Sequence, residues 1–283
     1  NNSLFSSWDS NTSTPKIKLW SLQPNTTYYY RVYSYNPDNS SIYSNSSIYN
    51  FTTQECVSYK FVNATDASIT GIDHPIQEAL DMICLDGGTI ELNNGTFNIS
   101  TPIRIRESNT TLTGQEMDKT IINQITEQES AILIGKFDDI GARNQWLYEN
   151  NIKLSALLNW FKDHPEEIIQ NVRVQKMTVN TKDAPGSWAG FGGISAVEAI
   201  NLCISEIKGT ANPQSQSRND DGKGISVGHS IDVTVKDCIL SGYGYALGAF
   251  LSCHRVKVIN NTISNIKGWN SIEYNGVWPL RAD

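Results

Sequence analysis

Four stretches of this chain alternate apolar and polar residues with a period of two and stack on one another without a gap. Asn171–Val179, Asn201–Gly209, Asp232–Leu240 and Arg255–Ile263 each read as a strand, a turn and a second strand. The second and third copies also match upstream, where Gly193–Ile200 falls on Gly224–Ile231 with no insertion, so one coil carries three strands. The anchors Val174, Ile204, Val235 and Val258 lie 30, 31 and 23 residues apart, the range of supersecondary units stacked one on the next. This predicts a solenoid of parallel β-coils in which the anchors form an inward ladder. Arg173, Cys203, Thr234 and Lys257 alternate with them and face outward.

A different period precedes the repeats. Ile76, Ala79, Leu80 and Ile83 fall at i, i+3, i+4 and i+7, with Asp73 as N-cap and Pro75 in the first turn, which predicts a short amphipathic helix. Short alternating runs broken by Asn-Gly and Pro follow from Gly87 to Ile105. The run Ile76-Gln77, Ala79, Asp81, Gly87 to Ile99 and Leu112-Thr113-Gly114 resembles the entry of pectate-lyase-like right-handed parallel β-helix proteins. The resemblance implies an all-β right-handed parallel β-helix over residues 71–283 with a cap helix, and it leaves function open, because that fold hosts lyases, hydrolases, epimerases and adhesins alike.

Residues 1–53 are rich in Ser, Asn, Thr and Tyr. Leu22-Gln-Pro-Asn-Thr-Thr-Tyr28 resembles the tyrosine corner of fibronectin type III domains, in which the Tyr hydroxyl bonds back to the backbone. Tyr28, Tyr30 and Val32 alternate as a strand, and Ser47–Thr53 reads as the last strand of the same sandwich. The expectation is a partial sandwich over 1–53 whose first strands precede residue 1, a linker over 54–70, and the β-helix from 71. At the other end Val277, Trp278 and Leu280 show no closing helix or charge, so further coils or self-association are expected there.

The formal net charge of -7 disfavours nucleic acid, whose phosphates need a basic face. No apolar run approaches a membrane span. N-x-Ser/Thr triplets concentrate before residue 110, and Asn25, Asn39, Asn45, Asn50, Asn63, Asn94, Asn98, Asn109 and, later, Asn260 are candidate glycan acceptors of an extracellular or cell-surface protein. The five cysteines form no metal motif, and neither metal nor cofactor is expected. Cys56 and Cys84 are expected to form a disulfide in an oxidising compartment, with unpaired thiols as the alternative. Cys238 takes the column of Met177 and Ile207 and reads as a small core hydrophobe.

Two insertions interrupt the coils. The first, about 141–170, has a helical look that ends near Pro165, and reads either as a helix packed on the solenoid flank or as a lid. The second, about 210–223, holds Asp220 and Asp221, a carboxylate pair of the kind glycoside hydrolysis uses. Asn219–Gly222 is equally an ordinary turn sequence. The segment Asn219–His229 distantly resembles the Asp-Asp and Gly-His elements of polygalacturonases, although Ser230 replaces their following Gly and no Arg-x-Lys element matches. His229 stacks on Glu198, a pairing that serves either general acid–base chemistry or coil register. Trp188, Phe191, Tyr243, Tyr245 and Trp269 fall in inter-coil connections and are candidate sugar platforms. The resulting expectation is a surface glycoprotein with a structural or adhesive role that engages polysaccharide or cell-surface glycan. The alternative is a polysaccharide lyase or glycoside hydrolase working in a groove on the first strand face.

Overall fold

The computed structural model describes residues 7–8, 17–18, 22–23, 25–35, 42–53, 55–64, 75–126, 130–137, 139–152, 154–181, 192–211, 222–266 and 272. It divides into two compact units, Asn1–Val57 and Ser58–Asp283. The segment read as a linker therefore ends inside the second unit, where Tyr59–Val62 is a strand paired with Gly88–Leu92. Asp73, the expected N-cap, lies outside the described residues.

The second unit is a parallel β-helix whose coils run over three faces. The first face stacks Ile103–Ile105, Ile132–Ile134, Gly192–Val197, Lys223–Gly228 and Tyr245–Leu251. The second stacks Tyr59–Val62, Gly88–Leu92, Thr110–Gly114, the opening halves of Arg173–Thr181 and Ala199–Ala211, then Ile231–Lys236 and His254–Ile259. On the third lie Gly95–Ile99, Thr120–Gln124, the closing halves of the two long strands, Ile239–Ser241 and Thr262–Ser264. Val174 pairs with Ile204, Ile204 with Val235 and Val235 with Val258, so the inward ladder has the expected register. Leu112 and Ile90 extend it toward the cap helix. Like side chains stacked at one strand spacing exclude water along the whole axis, each fully buried Ile or Val contributing about 1.5–3 kcal/mol.

The corners are set by residues in the left-handed backbone region, and these line up from coil to coil. One column is Gly87, Asn109, Asn171, Asn201, Asp232 and Arg255; another is Glu198, His229 and Ser252; a third is Lys176, Glu206, Asp237 and Asn260. Asn and Asp, which tolerate this conformation best, fill many of the places.

Helix α1 (Pro75–Asp81) buries Ile76, Ala79 and Leu80 as the periodicity predicts, and it also buries Gln77. The Gln77 side chain accepts from the Arg104 N–H at 2.7 Å and donates to the Arg104 carbonyl at 3.2 Å. One amide thus satisfies the strand edge that would otherwise be open at the start of the first face.

Tyr243, in the connection between Ile239–Ser241 and Tyr245–Leu251, is buried in the core in space that three glycines leave free. A Cβ at Gly209 would stand 3.0 Å from its hydroxyl, one at Gly193 3.3 Å, and one at Gly224 3.1 Å from its ring. Cys238 is likewise buried in the core, where burial pushes its thiol up to about 11.

The first insertion holds two helices where one was expected, α2 (Ile140–Glu149) and α3 (Leu154–Asp163). Asp139 caps α2, its carboxylate accepting from the Ala142 N–H at 2.7 Å. Asn150 and Asn151 break the helical run, and Pro165 opens a short 3-10 turn after α3. The chain rejoins the solenoid at Ile169–Gln170, paired with Ala199 and Ile200.

In the first unit, Thr27–Tyr30 pairs antiparallel with Tyr49–Thr52, and Tyr33–Tyr35 with Ile42–Asn45. The Gln23 N–H donates to the Tyr28 hydroxyl at 2.7 Å. Tyr28 stacks on Phe51 across the pair with ring centroids 5.8 Å apart. Cys56 and Cys84 are both in disulfide linkage, and Cys203, Cys238 and Cys253 are thiols outside any disulfide.

Candidate functional site

The corner between the first and second faces carries the chemistry singled out in the sequence. Glu198 and His229 occupy successive coils there, in register as expected, and both are fully buried at 0 % exposure. What buries them is the helical insertion. Arg143 of α2 donates from Nε and Nη2 to the two Glu198 oxygens at 2.8 and 2.9 Å, and also pairs with Glu167. Trp160 of α3 donates its indole N–H to Glu198 at 2.8 Å. The Arg143 guanidinium lies 4.1 Å from the Phe137 ring centroid and 4.7 Å from that of Trp146, and the Trp160 ring stacks on His164 at 3.6 Å.

His229 is held by Asn144 of α2, whose Oδ1 lies 2.7 Å from Nδ1. Nε2 of His229 is buried with no hydrogen-bond partner among the described residues. Burial, with Arg143 adding its positive charge, lowers the His229 pKa to about 4, so the ring is neutral near pH 7. Asn144 approaches so closely because residue 228 is glycine: a Cβ there would lie 2.2 Å from Asn144 Oδ1.

This arrangement corrects the acid–base reading of Glu198 and His229. A general acid or base must reach its substrate, and neither group presents any surface to one. Glu198 is in a buried ion pair with Arg143 and His229 in a hydrogen bond with Asn144, and together these contacts fasten α2 and α3 to the solenoid. Leu147 of α2 completes the attachment, packing with Leu133 and Val197, which point outward from the first face yet are buried.

The rest of the first face follows from its register. Alternating with core residues Ile103, Ile132, Ile194, Ile225 and Leu247, the outward row runs Arg104, Leu133, Ser195, Ser226 and Gly248. It contains no carboxylate among the described residues. Asp220 and Asp221 lie outside the described residues, immediately ahead of Lys223–Gly228 on this face.

The aromatic candidates divide similarly. Trp188, Phe191 and Trp269 lie outside the described residues, as do Asn39 and the Val277, Trp278 and Leu280 segment. Tyr245 begins a first-face strand. Tyr243 is corrected to a core residue, since its ring is enclosed by Leu240 and the glycine cradle rather than offered to a sugar. Of the acceptor asparagines, Asn25, Asn50, Asn94, Asn98, Asn109 and Asn260 are exposed, and Asn63 is half-buried with its Oδ1 accepting from Asn93. Asn45 ends a strand. No metal-binding cluster occurs among the described residues, and no helix there is long and apolar enough to cross a membrane.

No family model matches the chain, and no curated protein matches it. Among solved structures it is similar to ORF18 of Geobacillus virus E2, at 15% identity and a TM-score of 0.41, over 71% of this chain and 48% of that one. An endo-xylogalacturonan hydrolase from Aspergillus tubingensis aligns at 18% identity and a TM-score of 0.44, over 73% of this chain and 58% of the enzyme. A family 28 exopolygalacturonase from Yersinia enterocolitica aligns at 17% identity and a TM-score of 0.33, over 86% of this chain and 55% of the enzyme. The chain spans about half the length of these proteins. The parallel β-helix rests on the strand register of the chain itself.

Proposed function

We propose that this chain is part of a secreted or cell-surface β-helix protein that engages polysaccharide or cell-surface glycan in a structural or adhesive role. What supports this is the exposed acceptor asparagines together with the disulfide-linked cysteines; the outward row Arg104, Leu133, Ser195, Ser226 and Gly248 holds no carboxylate among the described residues, and Leu133, Ser195 and Ser226 in it are buried. The one His–carboxylate pairing singled out in the sequence is committed to holding the insertion. The disulfide-linked Cys56 and Cys84 fit an oxidising compartment. Six exposed acceptor asparagines fit glycosylation, and intact-mass measurement on native material is expected to show added glycan. The Gln23–Tyr28 hydrogen bond supports the fibronectin-III-like reading of the first unit.

Glycoside hydrolysis is the second reading, favoured by the placement of Asp220 and Asp221 directly before a first-face strand. Incubation with neutral and acidic polysaccharides, followed by assays for bound polymer and new reducing ends, separates the two. Binding without cleavage is the expected result. Cleavage that falls at least ~100-fold in Asp220→Asn or Asp221→Asn would transfer the function to hydrolysis.

A further inference from the structure

The second face carries an arrangement that neither reading of the corner uses. Tyr59 and Phe61 lie two apart on the strand Tyr59–Val62, pointing to the same outward side. Tyr59 is 53% exposed and Phe61 38%. An aromatic pair standing this far in solvent on a sheet face buries little, so packing does not account for it.

The pair is nevertheless held in place. The Tyr59 hydroxyl donates to Glu91 at 2.9 Å, reaching the diagonal neighbour across the parallel pair. Glu91 sits directly opposite Phe61 and accepts from the Gln115 amide at 3.3 Å, and Gln115 in turn accepts from the Asn94 N–H at 3.3 Å. Glu91 raises the Tyr59 pKa chiefly by accepting that hydrogen bond, so the phenol stays protonated and oriented. Thr89 and Thr113 flank Glu91, one on the same strand and the other opposite it on the next.

Together these residues present exposed ring surface beside a carboxylate, an amide and hydroxyls. A pyranose has the complementary surface, with C–H groups on a ring face and hydroxyls around the rim. Rings that are already oriented lose little freedom when a ligand stacks on them. Glu91 at the centre and the net charge of -7 disfavour an anionic chain.

We infer that Tyr59, Phe61, Glu91 and Gln115 form a binding platform for an uncharged glycan on the second face. This inference rests on the glycan-engaging reading above. The test uses the full chain and measures binding of cellohexaose, xylohexaose, mannohexaose and an oligogalacturonate by calorimetry. Wild type is expected to bind at least one neutral oligosaccharide, with Tyr59→Ala and Phe61→Ala each weakening it ~10-fold or more and Phe61→Tyr retaining affinity. Circular dichroism confirms folding, and the retained affinity of Phe61→Tyr separates loss of a ring from loss of fold. Unchanged binding in both alanine variants would place the glycan elsewhere and overturn the platform. Binding of the oligogalacturonate alone would overturn the uncharged class, and a wild type that binds none of the probes would overturn the glycan reading itself.

Discussion

Two columns of left-handed residues run up this solenoid three positions apart, and the same backbone conformation is satisfied in opposite ways. In Asn109, Asn171 and Asn201 the side chains face solvent and bond along the column, Asn171 to Asn109 at 2.7 Å and Asn201 to Asn171 at 2.8 Å. Asp232 and Arg255 continue that column with an exposed bidentate pair at 2.5 and 2.6 Å, and Arg255 lowers the Asp232 pKa. In Glu198 and His229 the side chains are buried, and their partners come from α2 and α3 rather than from the column. The backbone therefore fixes where a corner falls. What covers the corner fixes which chemistry is tolerated there.

The largest expected effect separates the columns by desolvation. Arg143→Ala strands Glu198 without its counter-ion in a buried place and is expected to cost about 3–5 kcal/mol in denaturant unfolding. Asp232→Asn removes an ion pair of similar geometry in solvent and is expected to cost less than about 1 kcal/mol. Equal losses would show that the insertion does not shield the corner.

Acid sharpens the same contrast. The folded His229 pKa of about 4 lies below its ordinary 6.5, so the unfolded chain takes up a proton first as pH falls. The stability associated with neutral His229 is complete above pH 6.5 and is lost as pH drops toward 4, by about 3 kcal/mol. Urea midpoints measured across that range are expected to fall, and His229→Asn, which tolerates the left-handed backbone, is expected to flatten the decline. The exposed column contributes little over that interval, because the lowered Asp232 pKa matters only as pH falls through and below its ordinary 3.8.

The amide ladder falls below the buried corner in effect. Asn201→Ala puts a Cβ-bearing residue without amide bonds at φ 57° and is expected to cost about 1–2 kcal/mol. Asn201→Gly, which relieves the conformation, is expected to cost less than Asn201→Ala in thermal unfolding. Equal costs would assign the stability to the ladder hydrogen bonds alone.

The architecture was legible because a strand's period of two recurs from coil to coil: Val174, Ile204, Val235 and Val258 need no information beyond their own alternation. Cys238 could be placed for the same reason. Glu198 and His229 were correctly stacked by that alignment, yet their role was not legible. It depends on Arg143, Asn144 and Trp160, which reach the corner through helices whose docking face no local pattern specifies. Gln77 looked like a polar residue beside an apolar helix stripe, and only the open edge at Arg104 explains its burial. For Tyr243 a signal existed: Gly193 and Gly224 align between coils, and a recurrent absence of side chain inside a strand marks something bulky nearby.

That recurrent absence also limits substitution. Residues 193, 209 and 224 each lie against Tyr243 and against a second, closer neighbour, so each is constrained twice over. A Cβ at Gly193 or Gly224 would meet the carbonyl of Gly224 or Ala246 at 2.7 or 2.5 Å, and one at Gly209 would meet Leu240 Cδ2 at 2.6 Å, so giving up the ring at 243 does not by itself admit a side chain, while it does leave a void the glycines cannot fill.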